Sequence, residues 1–461
     1  MSAQATTFDW DLIQRYNAAG PRYTSYPTAV QFTDAFCAQD YLEQADRSNV
    51  SGTPLSIYVH IPFCSHLCFY CGCNKIVTKN MAKGDAYLER LLKEIALQGK
   101  LFDTGRLAEQ MHFGGGTPTF YDLPRIERIL DAVGSNFNLY REPKRDFSIE
   151  IDPRTVDPDT IAGLHELGFN RMSIGVQDFD PAVQKAVHRI QSAEQTLSIM
   201  HAARDAQVRS VNVDLIYGLP MQSASSLDTT IRAVIDADPD RICIFNYAHL
   251  PERFPPQRRI NDDDLPSADE KLVMLQSTVE TLMTAGYRYI GMDHFAKPQD
   301  ELSLAQDHGH LHRNFQGYTT HAECDLVGIG VSSIASVHDC YSQNHYGLDD
   351  YYRCIDEDRI PVARGLTLDA DDRLRKHVIM QLMCFGTLDF SEIETEHDID
   401  FSDYFRLELE RLREMEADGL LTLTSGHLSV TAAGWTLVRN ISAVFDKYLP
   451  QTSKQRFSRF I

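Results

Sequence analysis

The chain has 461 residues, 43% of them hydrophobic and 24% charged, with a formal net charge of −21. That length predicts two or three globular domains, and the negative balance argues against a nucleic-acid partner, whose phosphates are held by clustered Lys and Arg. No run approaches the roughly 18 apolar residues of a membrane span. The start, MSAQATTFDWDLIQRYN, lacks the basic and apolar stretches of an export signal, so a cytoplasmic protein with no membrane partner is expected.

An N-terminal extension, residues 1–50, precedes the first predicted strand at 55–61. Strands then follow at 110–113, 147–151, 171–176, 210–217, 241–247 and 287–292. Between them lie helical periodicities at 85–98, 123–137, 158–167, 192–207, 226–237 and 268–285. This alternation predicts an α/β domain over 51–365, built on a parallel sheet with right-handed crossovers, open or closed into a barrel. Its polar and glycine-containing segments, among them GGGTP, DPR, QDF and GLP, sit just after the strands, where such folds place chemistry. From 366 to 461 the pattern changes to helices at 371–384 and 401–418, a hairpin at 420–428 with Ser-Gly at its turn, and a helix at 432–445. This small C-terminal domain has a winged-helix appearance, but Glu408, Glu410, Glu414, Glu416 and Asp418 crowd the helix that DNA contact would need to be basic. A packing or lid role is expected instead.

Four of the ten cysteines fall between Cys64 and Cys73, directly after the first strand. A tight group in a large chain of this kind points to metal rather than disulfides. Cys64, Cys68 and Cys71, spaced by three and then two residues, let one loop present three thiolates to a cuboidal iron–sulfur cluster and leave its fourth iron open to a chelating ligand. A structural zinc site would need a second ligand pair, and none stands nearby. A fully ligated electron-transfer cluster would recruit Cys73, only two positions on, at the cost of strained geometry.

CxxxCxxC with an aromatic before its last cysteine resembles the signature of the radical S-adenosylmethionine superfamily, which implies a [4Fe–4S] cluster chelated by adenosylmethionine at its open iron. The fold implied is a partial (β/α) TIM-like barrel. Gly115, Gly116 and Thr117 of GGGTP would let the backbone approach the methionyl group closely. Glu150, Gln177 and Asp214, at or beyond strand ends, supply acceptors for ribose hydroxyls, and Arg189 a guanidinium for the methionyl carboxylate. Asp214 on an apolar strand stands out, because an unpaired carboxylate there would be costly. Tyr70 is placed to stack on adenine, and Cys73 belongs to the same cofactor-binding loop.

Longer segments narrow the resemblance. GPRYTSYPTA (20–29), YVHIPFC, CGCNK, SIEIDPR, DLIYGLP, FNYAHLP, GMDHFA and HRNFQGYTT are together similar to the oxygen-independent coproporphyrinogen III oxidases. That family oxidatively decarboxylates two propionates of coproporphyrinogen III to vinyl groups, giving protoporphyrinogen IX, and binds two adenosylmethionine molecules. The likeness adds Tyr58, Ala248, Gln316 and Ile334 to the expected contacts. It also implies an external reductant and an electron acceptor, neither identifiable from the sequence. Arg22, with Tyr23 and Tyr26, and the basic stretch 454–461 are expected to help neutralise the propionates or close the site. A haem-binding chaperone of the same superfamily is the alternative; its members typically lack the 20–29 and CGCNK segments. His308 and His310 form a short histidine group of possible metal affinity. No coiled-coil seam or exposed apolar run suggests an obligate dimer, so a monomer is expected.

Overall fold

The computed structural model describes residues 7–16, 20–142, 145–321 and 324–449; the basic stretch at 454–461 lies outside them. The chain divides into two compact units, one of Phe32–Ala285 and Glu323–Thr367, the other of Met1–Gln31, Gly286–Ala322 and Leu368–Ile461.

The first unit is built on parallel strands β1 (Leu55–Ile61), β2 (Leu107–Gly115), β3 (Asp146–Ile151), β4 (Arg171–Gln177), β5 (Ser210–Tyr217), β6 (Arg241–Asn246) and β7 (Asp325–Ile329). Their order is β6-β5-β4-β3-β2-β1-β7, every neighbouring pair parallel. Each strand from β2 to β6 is thus laid on the same side of its predecessor, which is the winding of a partial barrel. The apolar runs explain the burial: all of β1 except Tyr58 is buried, as expected of a parallel strand covered on both faces.

The crossovers begin where the sequence places caps. Helix α1 (Ala38–Ser51) precedes β1, and α2 (Met81–Gly99) follows it, capped by Asn80. Helices α3 (Leu123–Asn136) and α4 (Pro158–Glu166) start at Asp122 and Asp157, each with proline in the first turn. Ser192 caps α5 (Ala193–Asp205), and Ser223 and Ser267 form capping boxes on α6 (Ala224–Asp236) and α7 (Ala268–Thr284). On α2, Tyr87, Leu88, Leu91, Glu94, Ile95 and Gln98 are buried, one stripe at helical spacing. Beyond β7 the sheet continues antiparallel through β8 (Ile334–Val337), β9 (Cys340–Asn344) and β10 (Val362–Thr367), and α1 packs on these three.

In the second unit, the stretch read as a strand at 287–292 forms only Arg288–Gly291 and pairs antiparallel with His294–Ala296. Gly291 and Met292 both have positive φ, 144° and 55°, which turns the chain back on itself. The C-terminal segment holds α8 (Ala370–Phe385), then α9 (Phe390–His397), which periodicity did not reveal. The expected helix at 401–418 is broken at Phe405, whose ring is buried against Phe401 and Phe445, leaving Phe401–Tyr404 and α10 (Arg406–Ala417). The hairpin, Leu421–Leu423 with His427–Val430, gains a third strand in Thr387–Asp389. The N-terminal segment is tied to this C-terminal one: Tyr23 Oη donates to Asp446 (3.0 Å), Arg439 to the carbonyls of Gly20 and Pro21 (2.7 and 3.1 Å), and Arg15 pairs with Asp418 (2.6 Å).

Candidate active site

The cysteine loop leaves β1 and is closed on itself before it reaches α2. Phe63–Cys64 pairs in parallel with Ile76–Val77, Ile76 N–H donates to Pro62 (2.7 Å) and Thr78 N–H to Cys64 (2.9 Å). Phe63 is fully buried against Phe120, Tyr87 and Tyr121. The far side is held by Phe69, whose N–H donates to Val187 (2.9 Å) and whose ring stacks on His188 at 4.9 Å. Tyr70 is fixed through its carbonyl, which accepts from Gln257 (2.9 Å).

The glycines at the end of β2 are required by the chain itself. Gly116 N–H donates to Ile61 (2.9 Å), and a Cβ there would lie 2.8 Å from the carbonyl oxygens of Phe63 and Pro62. Gly115 has φ +125°, and a Cβ would meet Ile61 O at 2.8 Å and the His60 ring at 2.9 Å. Close approach of GGGTP therefore serves first to seat the cysteine loop.

One cavity, with about 730 Å³ of empty space including its open mouth, collects most of the expected residues. Cys64, Cys68, Cys71, Cys73, Tyr70, Gly115, Gly116, Thr117, Glu150, Gln177, Arg189 and Asp214 all line it. They come from the carboxyl ends of β1 to β5 and the loops beyond. Glu150 accepts from Gly115 N–H (3.2 Å). Asp214 is paired within the protein: Ser173 Oγ donates to it at 2.7 Å and Asn212 Nδ2 at 2.9 Å. Burial, helped by the nearby Glu150 charge, still pushes it up to about 6 against those bonds.

The three candidate ligands differ in surroundings. Burial pushes the Cys64 thiol up to about 11, although Thr117 Oγ1 donates to its sulfur at 3.5 Å. Cys71 is drawn down to about 6 by the Cys73 thiol and by Lys75, against burial. Two guanidinium groups flank Cys68: Arg154 Nη2 at 3.4 Å and Arg189 Nη1 at 3.6 Å from its sulfur. Asp152 bridges them, 2.6 Å from Arg154 Nη2 and 3.3 Å from Arg189 Nη1. Burial opposes its charge, but Arg189 and Arg154 prevail and hold it down at about 2.

The remaining expected contacts sit elsewhere. Tyr58, which is not among the lining residues, is stacked on His112; its hydroxyl meets His60 Nδ1 at 3.0 Å while His60 Nε2 reaches Asn74 O at 3.3 Å. Tyr58 thus steadies the far end of the cysteine loop. Ala248 and Ile334 are in the same unit, off the lining described; the Ala248 carbonyl accepts from Gln257 (3.2 Å). Arg22 and Gln316 belong to the other unit. There Arg22 is ion-paired with Asp293, and Tyr23 and Tyr26 are buried. His308 and His310 are exposed at the end of Glu301–Asp307, and among the described residues no metal-ligand group includes them. Asp152 and Arg154 were missed as site residues. The signal was the DPR that follows β3, a strand end like the others.

Residues 58–234 match the family described as the radical SAM superfamily, and residues 368–437 match the HemN C-terminal domain. The chain is 52% identical over 454 residues to an oxygen-independent coproporphyrinogen III oxidase of Pseudomonas aeruginosa, covering 98% of this chain and 99% of that one. It is 47% identical to the protein so named from Escherichia coli, over the whole of both chains. The solved structure described as coproporphyrinogen III oxidase (HemN) from Escherichia coli, a radical SAM enzyme, superposes with a TM-score of 0.92 at 45% identity, covering 97% of this chain and 100% of that one.

Proposed function

The chain belongs to the oxygen-independent coproporphyrinogen III oxidases, radical S-adenosylmethionine enzymes, and from that membership we propose how its own residues serve the reaction. The enzyme converts two propionate side chains of coproporphyrinogen III to vinyl groups with loss of carbon dioxide, giving protoporphyrinogen IX in haem biosynthesis. Full-length identity of 47–52% to proteins of that name favours this over the haem-chaperone alternative.

When bound, the [4Fe–4S] cluster and adenosylmethionine supply the one-electron chemistry that removes a hydrogen atom from a propionate. The residues present fit them. Cys64, Cys68 and Cys71 line one cavity, and two guanidiniums, of Arg154 and Arg189, direct N–H groups at the Cys68 sulfur. That convergence is the observation that carries the reading. Cys64, Cys68 and Cys71 would hold the cluster, while Cys73 keeps its proton and donates toward Cys71. Glu150, Gln177 and Asp214 offer acceptors to a ribose and an ammonium. Arg189, whose buried Nε has no protein acceptor, offers an N–H to a carboxylate. Gly115, Gly116 and Thr117 form the floor, and Tyr70 the face for adenine. A second adenosylmethionine is part of the proposal, with the contacts left undivided between the two molecules; Tyr58, Ala248 and Ile334 of the first unit, and Gln316 of the second, stay among the expected cofactor contacts, and Arg22 is proposed for a propionate.

The reaction also needs a reductant and an electron acceptor from outside the chain. No helix among the described residues is long and apolar enough to cross a membrane. A cytoplasmic monomer is the working arrangement. The test is anaerobic reconstitution with iron and sulfide, then incubation with adenosylmethionine and coproporphyrinogen III. Vinyl products with 5′-deoxyadenosine are expected from the wild type and neither from Cys68→Ser. Reconstituted protein that makes 5′-deoxyadenosine but leaves the propionates intact would overturn the substrate assignment.

A further inference from the structure

In the C-terminal part of the second unit, two histidines and a glutamate converge. His377 sits on α8, and Glu396 and His397 form the last turn of α9. His377 Nδ1 lies 3.1 Å from His397 Nε2 and 3.5 Å from Glu396 Oε2, while His397 Nε2 lies 3.7 Å from Glu396 Oε1. The two histidine side chains are 22% and 16% exposed and the glutamate 64%, so the group opens to solvent on one side only.

Hydrogen bonding accounts for part of this arrangement. Two neutral imidazoles can share one N–H across 3.1 Å, but both carboxylate contacts are too long to be hydrogen bonds. A metal ion accounts for the convergence, since each residue can offer one ligand atom and these atoms lie within 4.8 Å of one another. Nitrogen and oxygen ligands at about 2.0–2.1 Å from a tetrahedral ion stand about 3.3–3.4 Å apart, and the separations from His377 Nδ1 to His397 Nε2, 3.1 Å, and to Glu396 Oε2, 3.5 Å, fall on either side of that value. The second nitrogen of His377 is also provided for. The Gln381 amide lies 3.4 Å from His377 Nε2 and, with its carboxamide turned end for end, accepts that N–H, as a partner behind a ligating histidine does.

We propose that His377, Glu396 and His397 bind one divalent ion of the zinc class, pinning the end of α9 to α8 with a fourth position open to water. Two imidazoles and a single carboxylate suit zinc, cobalt or nickel and discriminate against calcium and magnesium, which take oxygen ligands in larger number. The site is independent of the cysteine loop and of the decarboxylation.

The test uses full-length, cluster-loaded enzyme, so that the cysteines are occupied. It is equilibrated anaerobically with excess zinc sulfate plus millimolar magnesium, desalted, and analysed for zinc and iron. About one retained zinc per chain is expected in the wild type, with an X-ray absorption edge fitted by two imidazole ligands. In His377→Ala/His397→Ala, zinc should fall at least tenfold with iron unchanged. Glu396→Ala removes an exposed side chain that packs in no core, so it keeps the test decisive if the double variant fails to fold; its zinc affinity should fall at least tenfold too. Equal zinc in wild type and Glu396→Ala, or none retained by the wild type, overturns the proposal and leaves a hydrogen-bonded histidine pair.

Discussion

Replacing Asp152 by Asn keeps the shape of the side chain and removes the one charge that bridges Arg154 and Arg189. Asp152 is 8% exposed, Arg189 is buried beside it and the Arg154 side chain is only 10% exposed, so solvent screening is slight. Its descent from an ordinary 3.8 to about 2 corresponds to about 2 kcal/mol of folding stability. Leaving two like charges uncompensated sets an upper bound of about 5 kcal/mol. The sign follows from the direction of the shift. A lowered carboxylate contributes fully above its unfolded value and loses that contribution only as pH falls from about 3.8 toward about 2. Denaturant unfolding of wild type and Asp152→Asn under argon should therefore differ by about 2–5 kcal/mol, constant from pH 6 to 8. Because the guanidiniums also flank the Cys68 sulfur, iron retention should fall in parallel. A variant as stable as wild type, or a difference that grows or shrinks between pH 6 and 8, would refute the assigned role of this carboxylate.

Gly116→Ala places a methyl against two backbone carbonyls that cannot rotate away; the cysteine loop should shift, with lower iron content and 5′-deoxyadenosine formation slowed about a hundredfold if displacement reaches ~1 Å. Asp214→Asn should not destabilise the enzyme at pH 7.5 in urea titration. Burial raises that carboxyl to about 6, so its ionisation weakens folding as pH rises from 3.8 to about 6 and the penalty is complete above; adenosylmethionine binding should nonetheless weaken, and a clearly less stable variant would mark the carboxylate as structural. Cys73→Ser should keep its cluster by electron paramagnetic resonance, whereas Cys64→Ser should lose it; the reverse pattern would move the ligand set.

The barrel was legible because parallel strands buried on both faces are written as short apolar runs, with Asn80, Asp122, Asp157 and Ser192 marking where the helices begin. The cavity was legible for the related reason that its residues lie in the carboxyl-terminal parts of the strands and the loops beyond them. Helix α9 was not, since Phe390–His397 offers only two buried positions, Phe390 and Ile393, too few to establish a period. The break at Phe405 depends on aromatic packing with Phe445, forty residues on, which no local pattern reports. The protein partners of Asp214 were not legible, because Ser173 lies on a neighbouring strand and is brought to it only by register, with Asn212 beside it on its own strand. The antiparallel turn at Gly291–Met292 reverses a stretch whose composition matches the strands before it.

The anchoring of residues 15–23 to residues 418–446 has a consequence for biosynthesis. The ribosome releases Arg15 and Tyr23 some four hundred residues before Asp418, Arg439 and Asp446. At about 5–20 residues per second the head of the polypeptide waits tens of seconds for these partners. A message cut short near codon 400 would yield a nascent product that bears the cysteines and keeps Asp293 for Arg22, but lacks the partners of Arg15 and Tyr23.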